Sequence, residues 1–93
     1  MEFDWDPTKN ETNATKHGIG FTVASTVFDD PFHFVKDATR PEHGERREKA
    51  VGRAGPYIVA VIYTDRGDAR RIISARRASR NERREYRQGA TAS

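Results

Sequence analysis

Apolar and polar positions are most sharply patterned in the second half of the chain. Tyr57-Ile58-Val59-Ala60-Val61-Ile62-Tyr63-Thr64 is its one long run of branched and aromatic residues, a strong strand signal. The polar segment Asp65-Arg66-Gly67-Asp68 follows, then Ala69-Arg70-Arg71-Ile72-Ile73-Ser74-Ala75. Two strand-like runs joined by a short Gly-containing turn predict a hairpin. Its first strand reads as buried, and its second carries guanidinium groups. Arginine offers a planar fork of donors and stays charged at physiological pH, so such a hairpin suits the holding of phosphates.

The remaining pattern is weaker but ordered. Phe3 and Trp5 alternate with Glu2, Asp4 and Asp6, as in a short half-buried strand. Asp6-Pro7 has the form of an N-cap followed by proline at the first helical position, and Gly18 that of a helix stop. The helix predicted over 7–17 is polar, with Asn10, Asn13 and His17 on one face. A second helix is expected after Thr22, with Val23, Ala24, Val27 and Phe28 as its apolar stripe and Asp29-Asp30-Pro31 as its end. Strands are predicted over 32–36 and 45–51, separated by a polar loop over 37–44. On the second of them Arg46, Glu48 and Ala50 share one face, and Arg47, Lys49 and Val51 the other. Gly52-Arg53-Ala54-Gly55-Pro56 reads as a turn. Ser79-Arg80-Asn81-Glu82 matches a capping box that opens a last helix to about Gln88. The expected organisation is one domain over 1–88 and a flexible tail over 89–93. The order β-α-α-β-β-β-β-α predicts an α+β fold, an antiparallel sheet carrying two N-terminal helices and one C-terminal helix.

Composition narrows the chemistry. Ninety-three residues, 34% hydrophobic and 33% charged, allow one lean core. There is no cysteine, which excludes disulfides and thiolate metal sites. No apolar run approaches the roughly 20 residues that cross a bilayer, and the first residues do not read as a signal peptide, so a cytoplasmic protein is expected. The net charge of +3 conceals a division. Residues 1–45 hold 4 Lys/Arg against 9 Asp/Glu, and residues 46–93 hold 13 against 5, so net −5 and net +8 sum to +3. A basic half in which Arg outnumbers Lys points to phosphates or an acidic partner.

Several short pieces in series carry a family resemblance. They are Trp5-Asp6-Pro7, Lys9-Asn10, Asn13, Lys16-His17-Gly18, Phe21, Ala24, Val27-Phe28-Asp29-Asp30-Pro31, Glu45-Arg46-Arg47, Val61-Ile62-Tyr63-Thr64, and Arg71-Ile72-Ile73-Ser74-Ala75-Arg76 with Glu82 and Tyr86. In order and spacing they resemble the BrnT family of bacterial toxins. The resemblance implies a type II toxin–antitoxin module whose toxin has a RelE-like fold, cleaves RNA and inhibits translation. It also implies a cognate BrnA antitoxin with a ribbon-helix-helix DNA-binding part. Their heterotetramer would repress its own operon, so that operator DNA is met through the antitoxin.

RNA cleavage without metal begins with attack of a ribose 2′-hydroxyl on the neighbouring phosphate. It needs a base for that proton, cationic donors for the transition state, and an acid for the 5′-oxygen. The three histidines are scattered and the acids show no metal-ligand spacing, so no metal or other cofactor is expected. Arg71, on a strand beside the best-buried one, is the first candidate for transition-state stabilisation. Arg76 is the second, although five residues of regular strand would point the two to opposite faces. They share a site only if the strand ends or bulges near Ser74-Ala75. His17 is the histidine attached to a motif and suits proton transfer near neutrality, against a plain role at a helix C-terminus. Glu45 is a candidate base at a strand start. Arg46 and Lys16 are candidate phosphate contacts. Tyr86 is weighed as a base-stacking ring against packing on the sheet, and Glu82 as a site residue against its capping-box role. His33 and His43 read as bystanders. A non-catalytic nucleic-acid- or protein-binding module is the alternative.

Overall fold

The computed structural model describes residues 1–92, with side chains through Gly89. Ten residues of branched and aromatic character, Tyr57–Arg66, form the central strand β4. They are flanked in sequence by β3 (Glu48–Ala54) and β5 (Ala69–Arg77), each antiparallel to β4. The β4–β5 turn closes at Gly67, whose φ of 58° lies in the left-handed region open to glycine. β2 (Phe34–Asp37) pairs antiparallel with β3, and β1 (Glu2–Asp4) lies along the other side of β5. The sheet order is β1-β5-β4-β3-β2.

The sequence-derived order of elements holds, and the fold is α+β as expected. The sheet, however, is mixed rather than wholly antiparallel, because β1 runs parallel to β5. Parallel pairing follows from connectivity: everything between β1 and β5 intervenes, and no turn dictates their relative direction. β2 begins two residues later than predicted. β3 runs from Glu48 through Ala54, so Gly52, Arg53 and Ala54 are strand and the turn contracts to Gly55-Pro56. A Cβ on Gly52 would stand 2.7 Å from His33 Cβ and 2.9 Å from Val27 Cγ1. That residue is therefore strand because a neighbouring segment crosses its backbone closely, not because the chain turns there.

α1 (Pro7–His17) has the expected ends. Asp6 Oδ1 accepts from Thr8 N at 2.8 Å, and Gly18 takes a φ of 72°. α2 (Phe21–Ala24) is one turn capped by Gly20, not Thr22, and continues as a 3₁₀ turn, Ser25–Asp29. Its packed residues are Phe21, Ala24 and Val27, while Val23, expected in the stripe, is 50% exposed. These elements cover one face of the sheet, where Ile19, Phe21, Val27, Val59, Val61, Tyr63 and Ile72 form the main core with Phe3, Trp5 and Phe28 against it. α3 (Arg80–Ala92) crosses the other face, closing a smaller cluster of Val51, Ala60, Ala78 and Tyr86. It extends past Gln88 to Ala92, four residues beyond the predicted end, and Ser93 lies outside the described residues.

The polar face of α1 is its means of attachment. Asn13 Nδ2 donates to Ile19 O at 2.9 Å and to Ala75 O at 2.7 Å, and its Oδ1 accepts from Ala75 N at 3.1 Å. One buried side chain thus bonds the β5 backbone as a neighbouring strand would. Asn10 Oδ1 accepts from Phe21 N at 2.8 Å and sets the start of α2.

Candidate functional site

Residues opposite one another in a sheet point to the same side, so the register fixes which side chains share the partly open face. Lys49 stands opposite Ile62 and Ile62 opposite Ser74; Val51 stands opposite Ala60 and Ala60 opposite Arg76. Thr64 stands opposite Arg71. Between these pairs the β4–β5 register slips at Ile62/Tyr63, leaving Ile73 as the extra residue on β5. A bulge of one residue reverses the alternation beyond it. Arg71 and Arg76 therefore lie on the same face, the condition the sequence set for them, with the bulge one residue before Ser74. The result is a neutral middle strand, Ala60, Ile62 and Thr64, between Lys49 on β3 and Arg71 and Arg76 on β5.

A cleft of about 410 Å³ opens there. Ile62, Ile73 and Ser74 line it from the strands, with Arg40, His43, Arg47, Lys49 and Arg76 around them. Asp37 is the one carboxylate among its lining residues, and it is occupied: its Oδ1 accepts from Thr39 N and Oγ1 at 3.2 and 2.7 Å. Those two bonds, the hydroxyl's first, hold the Asp37 carboxyl below its usual range. Thr39 also ties the loop shut, accepting from Arg47 N at 2.9 Å and donating to Arg47 O at 3.1 Å. The two ends of the loop are thereby held together just before β3, and His43 between them lines the cleft.

Glu82 is the electrostatic anchor. Its Oε1 accepts from Arg76 Nη1 at 2.7 Å and from Ser79 N at 2.8 Å; its Oε2 accepts from Arg76 Nη2 at 3.0 Å and Lys49 Nζ at 2.6 Å. Glu82 N donates in turn to Ser79 Oγ at 3.2 Å, completing the capping box. The Arg76 bonds, supported by Lys49 and the Ser79 amide, hold the Glu82 carboxyl far below the usual range despite its burial. The same pair raises Arg76 above its ordinary value. One buried carboxylate so fixes two cations at the edge of the cleft while satisfying the start of α3.

Among the described residues, three buried polar atoms in the approach to β3 have no hydrogen-bond partner: His43 Nδ1, Glu45 Oε2 and Arg47 Nε. Buried groups are rarely left so, and His43 and Arg47 both line the cleft. Among the described residues no group of three or more His, Asp or Glu side chains is placed to hold a metal ion.

The sequence candidates separate. Arg76 lines the cleft and Glu82 lies behind it in its capping role. Lys16 and His17 line a neighbouring hollow of about 280 Å³, which shares Ile73 and Ser74 with the cleft. Arg71 is on the same face but does not line the cleft, and its Nη1 lies 3.3 Å from Asp4 Oδ1. Glu45 pairs with Arg66 at 3.3 Å and Arg46 with Glu48 at 3.6 Å, both outside the lining. Tyr86 is 5% exposed and its hydroxyl donates to Asp30 Oδ2 at 2.6 Å, so its ring packs on the sheet and has no open face for a base. His33 is also engaged, with Nδ1 2.7 Å from Asp30 O. His43, read as a bystander, is in the cleft together with Arg40, Arg47 and Lys49. The alternation of Arg47 and Lys49 in the strand predicted over 45–51 is the signal for two of these, although Arg47 stands just before β3; a loop residue such as His43 has none.

Cations around a neutral floor, with Asp37 as the one lining carboxylate, can hold a phosphodiester, and the imidazole supplies a group for proton transfer. Residues 5–82 match the family model described as the ribonuclease toxin BrnT of type II toxin–antitoxin systems. Among curated proteins none matches the chain.

Proposed function

The chain belongs to the BrnT family of ribonuclease toxins of type II toxin–antitoxin systems, and on that premise we propose that RNA is cut in the cleft beside Arg76. One observation carries this reading: Arg76, Lys49, Arg47 and His43 converge on a cleft that meets the His17 hollow at Ile73-Ser74. The cut is endonucleolytic, made by the 2′-hydroxyl on the adjacent phosphate. Glu82 fixes the Arg76 guanidinium in advance and leaves its Nε–H and one Nη2–H for the phosphate oxygens. Donors held in place before the charge develops are what lowers the barrier. Lys49, held by the same carboxylate, adds a second cation.

In-line attack places the entering 2′-oxygen and the departing 5′-oxygen on opposite sides of phosphorus. Base and acid must therefore stand apart, one on each side. His43 and His17, on the two sides of Ile73-Ser74, are the pair we assign to this work. Arg47 and Arg71 hold adjoining phosphates on the same face. Cutting of this kind inhibits translation when the RNA is a message.

The partner follows the family reading. A BrnA-type antitoxin with a ribbon-helix-helix part covers the cationic cleft with acidic groups, and the resulting heterotetramer represses the operon through operator DNA. Acidic side chains gain most at this site because its cations are only partly neutralised within the chain.

Cleavage of RNA by purified Arg76→Ala and His43→Gln proteins tests the assignment, with circular dichroism as the check on folding. Each change should lower cleavage by roughly 100-fold, the scale of losing one transition-state group. Binding of RNA methylated at every 2′-hydroxyl should survive in His43→Gln. Near-normal cleavage by the folded variants removes the cleft from the chemistry. RNA binding by the unaltered protein without any cleavage supports a binding module instead.

A further inference from the structure

The flanks of α3 differ in charge. On one flank Glu82 faces Lys49 and Arg76, and Glu85 bonds Lys36 at 2.6 Å. On the opposite side Arg80, Arg83, Arg84 and Arg87 fall at i, i+3, i+4 and i+7, a stripe about 100° wide with no acid in it. Like charges three and four residues apart weaken a helix by about 0.2–0.5 kcal/mol per pair. None of the four arginines has an ion pair among the described residues.

A second cleft, of about 310 Å³, lies against this flank. Arg53, Arg77, Arg83 and Arg87 line it with Tyr57, and no carboxylate does. Its shape is set from within: Arg83 Nη1 donates to Ala78 O at 2.7 Å, and the Arg77 guanidinium lies 3.8 Å from the centre of the Tyr57 ring. Arg76 and Arg77 are consecutive, yet Arg76 lines the first cleft and Arg77 the second. The two clefts share no lining residue, but their linings meet in sequence at the end of β5.

We propose that the arginine stripe of α3 and this second cleft bind the phosphates of the RNA strand flanking the cut. The inference rests on the RNA-cleaving reading and extends it from the scissile phosphate to its neighbours. Along the stripe Arg80, then Arg83 and Arg84, then Arg87 follow at steps of about one helical turn, so successive phosphates of one strand can each meet a guanidinium. Tyr57, 42% exposed and stacked with Arg77, gives a flat edge for an unpaired base, the usual complement to a cationic track for single strands. An acidic protein would be expected to seat an apolar anchor as well. Of the exposed apolar side chains Val23, Phe32, Val35 and Tyr57, Tyr57 alone lines this cleft, and the Arg77 guanidinium lies over its ring.

The test uses two probes, a long RNA methylated at every 2′-hydroxyl and a trinucleotide of the same kind, so binding is read independently of cleavage. Two full-length variants are compared with the unaltered protein: Arg80→Gln/Arg83→Gln/Arg87→Gln, and Arg53→Gln/Arg87→Gln, which spares the Arg83–Ala78 bond. Both should bind the long RNA roughly tenfold or more weakly, with the salt dependence of log K reduced by about one unit for each phosphate no longer neutralised. Affinity for the trinucleotide and kcat on cleavable RNA should stay unchanged. Unchanged affinity for the long RNA overturns the proposal, as does an equal loss for both probes. Loss of antitoxin affinity with full RNA affinity would assign the surface to the antitoxin. Absence of cleavage by the unaltered protein would instead count against the ribonuclease reading, leaving the binding comparison to decide this one.

Discussion

The two faces of one sheet are made by alternate residues of the same strands, and they obey different rules. Toward α1 and α2 the strands present Ala50, Gly52, Val59, Val61, Tyr63, Ile72 and Ala75, all small or apolar and all sealed. Toward α3 the same strands present Lys49, Val51, Ala60, Ile62, Thr64, Arg71 and Arg76. The first face is held by close approach: Gly52 admits Val27 and His33, and Asn13 bonds the β5 backbone directly. The second is held by charge, with Glu82 restraining cations that would otherwise repel. A packed face tolerates no change of volume, whereas an open one tolerates shape change but not loss of its counter-ion. Stability and chemistry can therefore be separated by the face on which a change is made.

The largest expected effect is at the charged face. Glu82→Gln keeps a residue able to serve in the capping box but removes the negative charge between Arg76 and Lys49. It should cost about 3 kcal/mol, the lower end for breaking a buried pair, because Arg76 is 43% exposed and water offsets part of the loss. Cleavage should fall as well, since both cations lose their anchor. The sign of the pH dependence follows from the lowered Glu82 carboxyl. A group whose folded value is depressed contributes stability that is complete above its ordinary value of 4.5 and is lost as pH falls toward the folded one. The difference between the two proteins in urea unfolding should shrink as pH is lowered below 4.5 and hold constant above it. A difference that grew on acidification would reverse the assignment.

At the packed face, Asn13→Ala should cost about 2 kcal/mol, near the lower end for stripping both the Ala75 amide and carbonyl of their buried partner. Activity per folded molecule should stay within a few-fold of normal. The bonds act on backbone beside the bulge and touch no cleft cation. If Asn13→Ala lowered cleavage as strongly as Arg76→Ala at equal foldedness, the two faces would not be separable.

How much of this can be read from sequence depends on the range of the interaction. Asp6-Pro7, Gly18 and the Ser79–Glu82 box are local signals, and each is found where it is expected. The hairpin and the face carrying Arg47 and Lys49 follow from turn chemistry and period-two alternation, both short-range. Gly52 looks like a turn residue in sequence, because the reason for that glycine is His33 and Val27, nineteen and twenty-five residues earlier in the chain. The parallel pairing of β1 and the place of His43 also depend on distant partners. The sequence shows that Arg71 and Arg76 share a site only if the strand ends or bulges near Ser74-Ala75; only the register shows that it bulges, at Ile73. Of the catalytic candidates, Arg71 is on its predicted strand while Glu45 falls three residues before β3, and sequence position alone does not show that Asp4 and Arg66 pair with them.

The smallest effect on stability belongs to His17, and it is the one that tests whether the site spans both sides of Ile73-Ser74. His17 ends α1 beside Gly18 and is exposed. A charged side chain there interacts with the helix C-terminus, an effect of about 0.5–1 kcal/mol that salt screens. If that were its whole role, His17→Gln would lower the melting temperature slightly and leave cleavage alone. As the partner of His43 in proton transfer it should do more: depress cleavage by roughly 100-fold and remove one limb of the pH–rate profile, with His43→Gln removing the other. Measuring unfolding and the full pH profile on the same samples separates these outcomes. Because the two histidines lie on different sides of Ile73-Ser74, loss of both limbs in either variant alone would mean that one histidine carries both proton transfers. Loss of neither limb in His17→Gln would confine the chemistry to the cleft of Arg76.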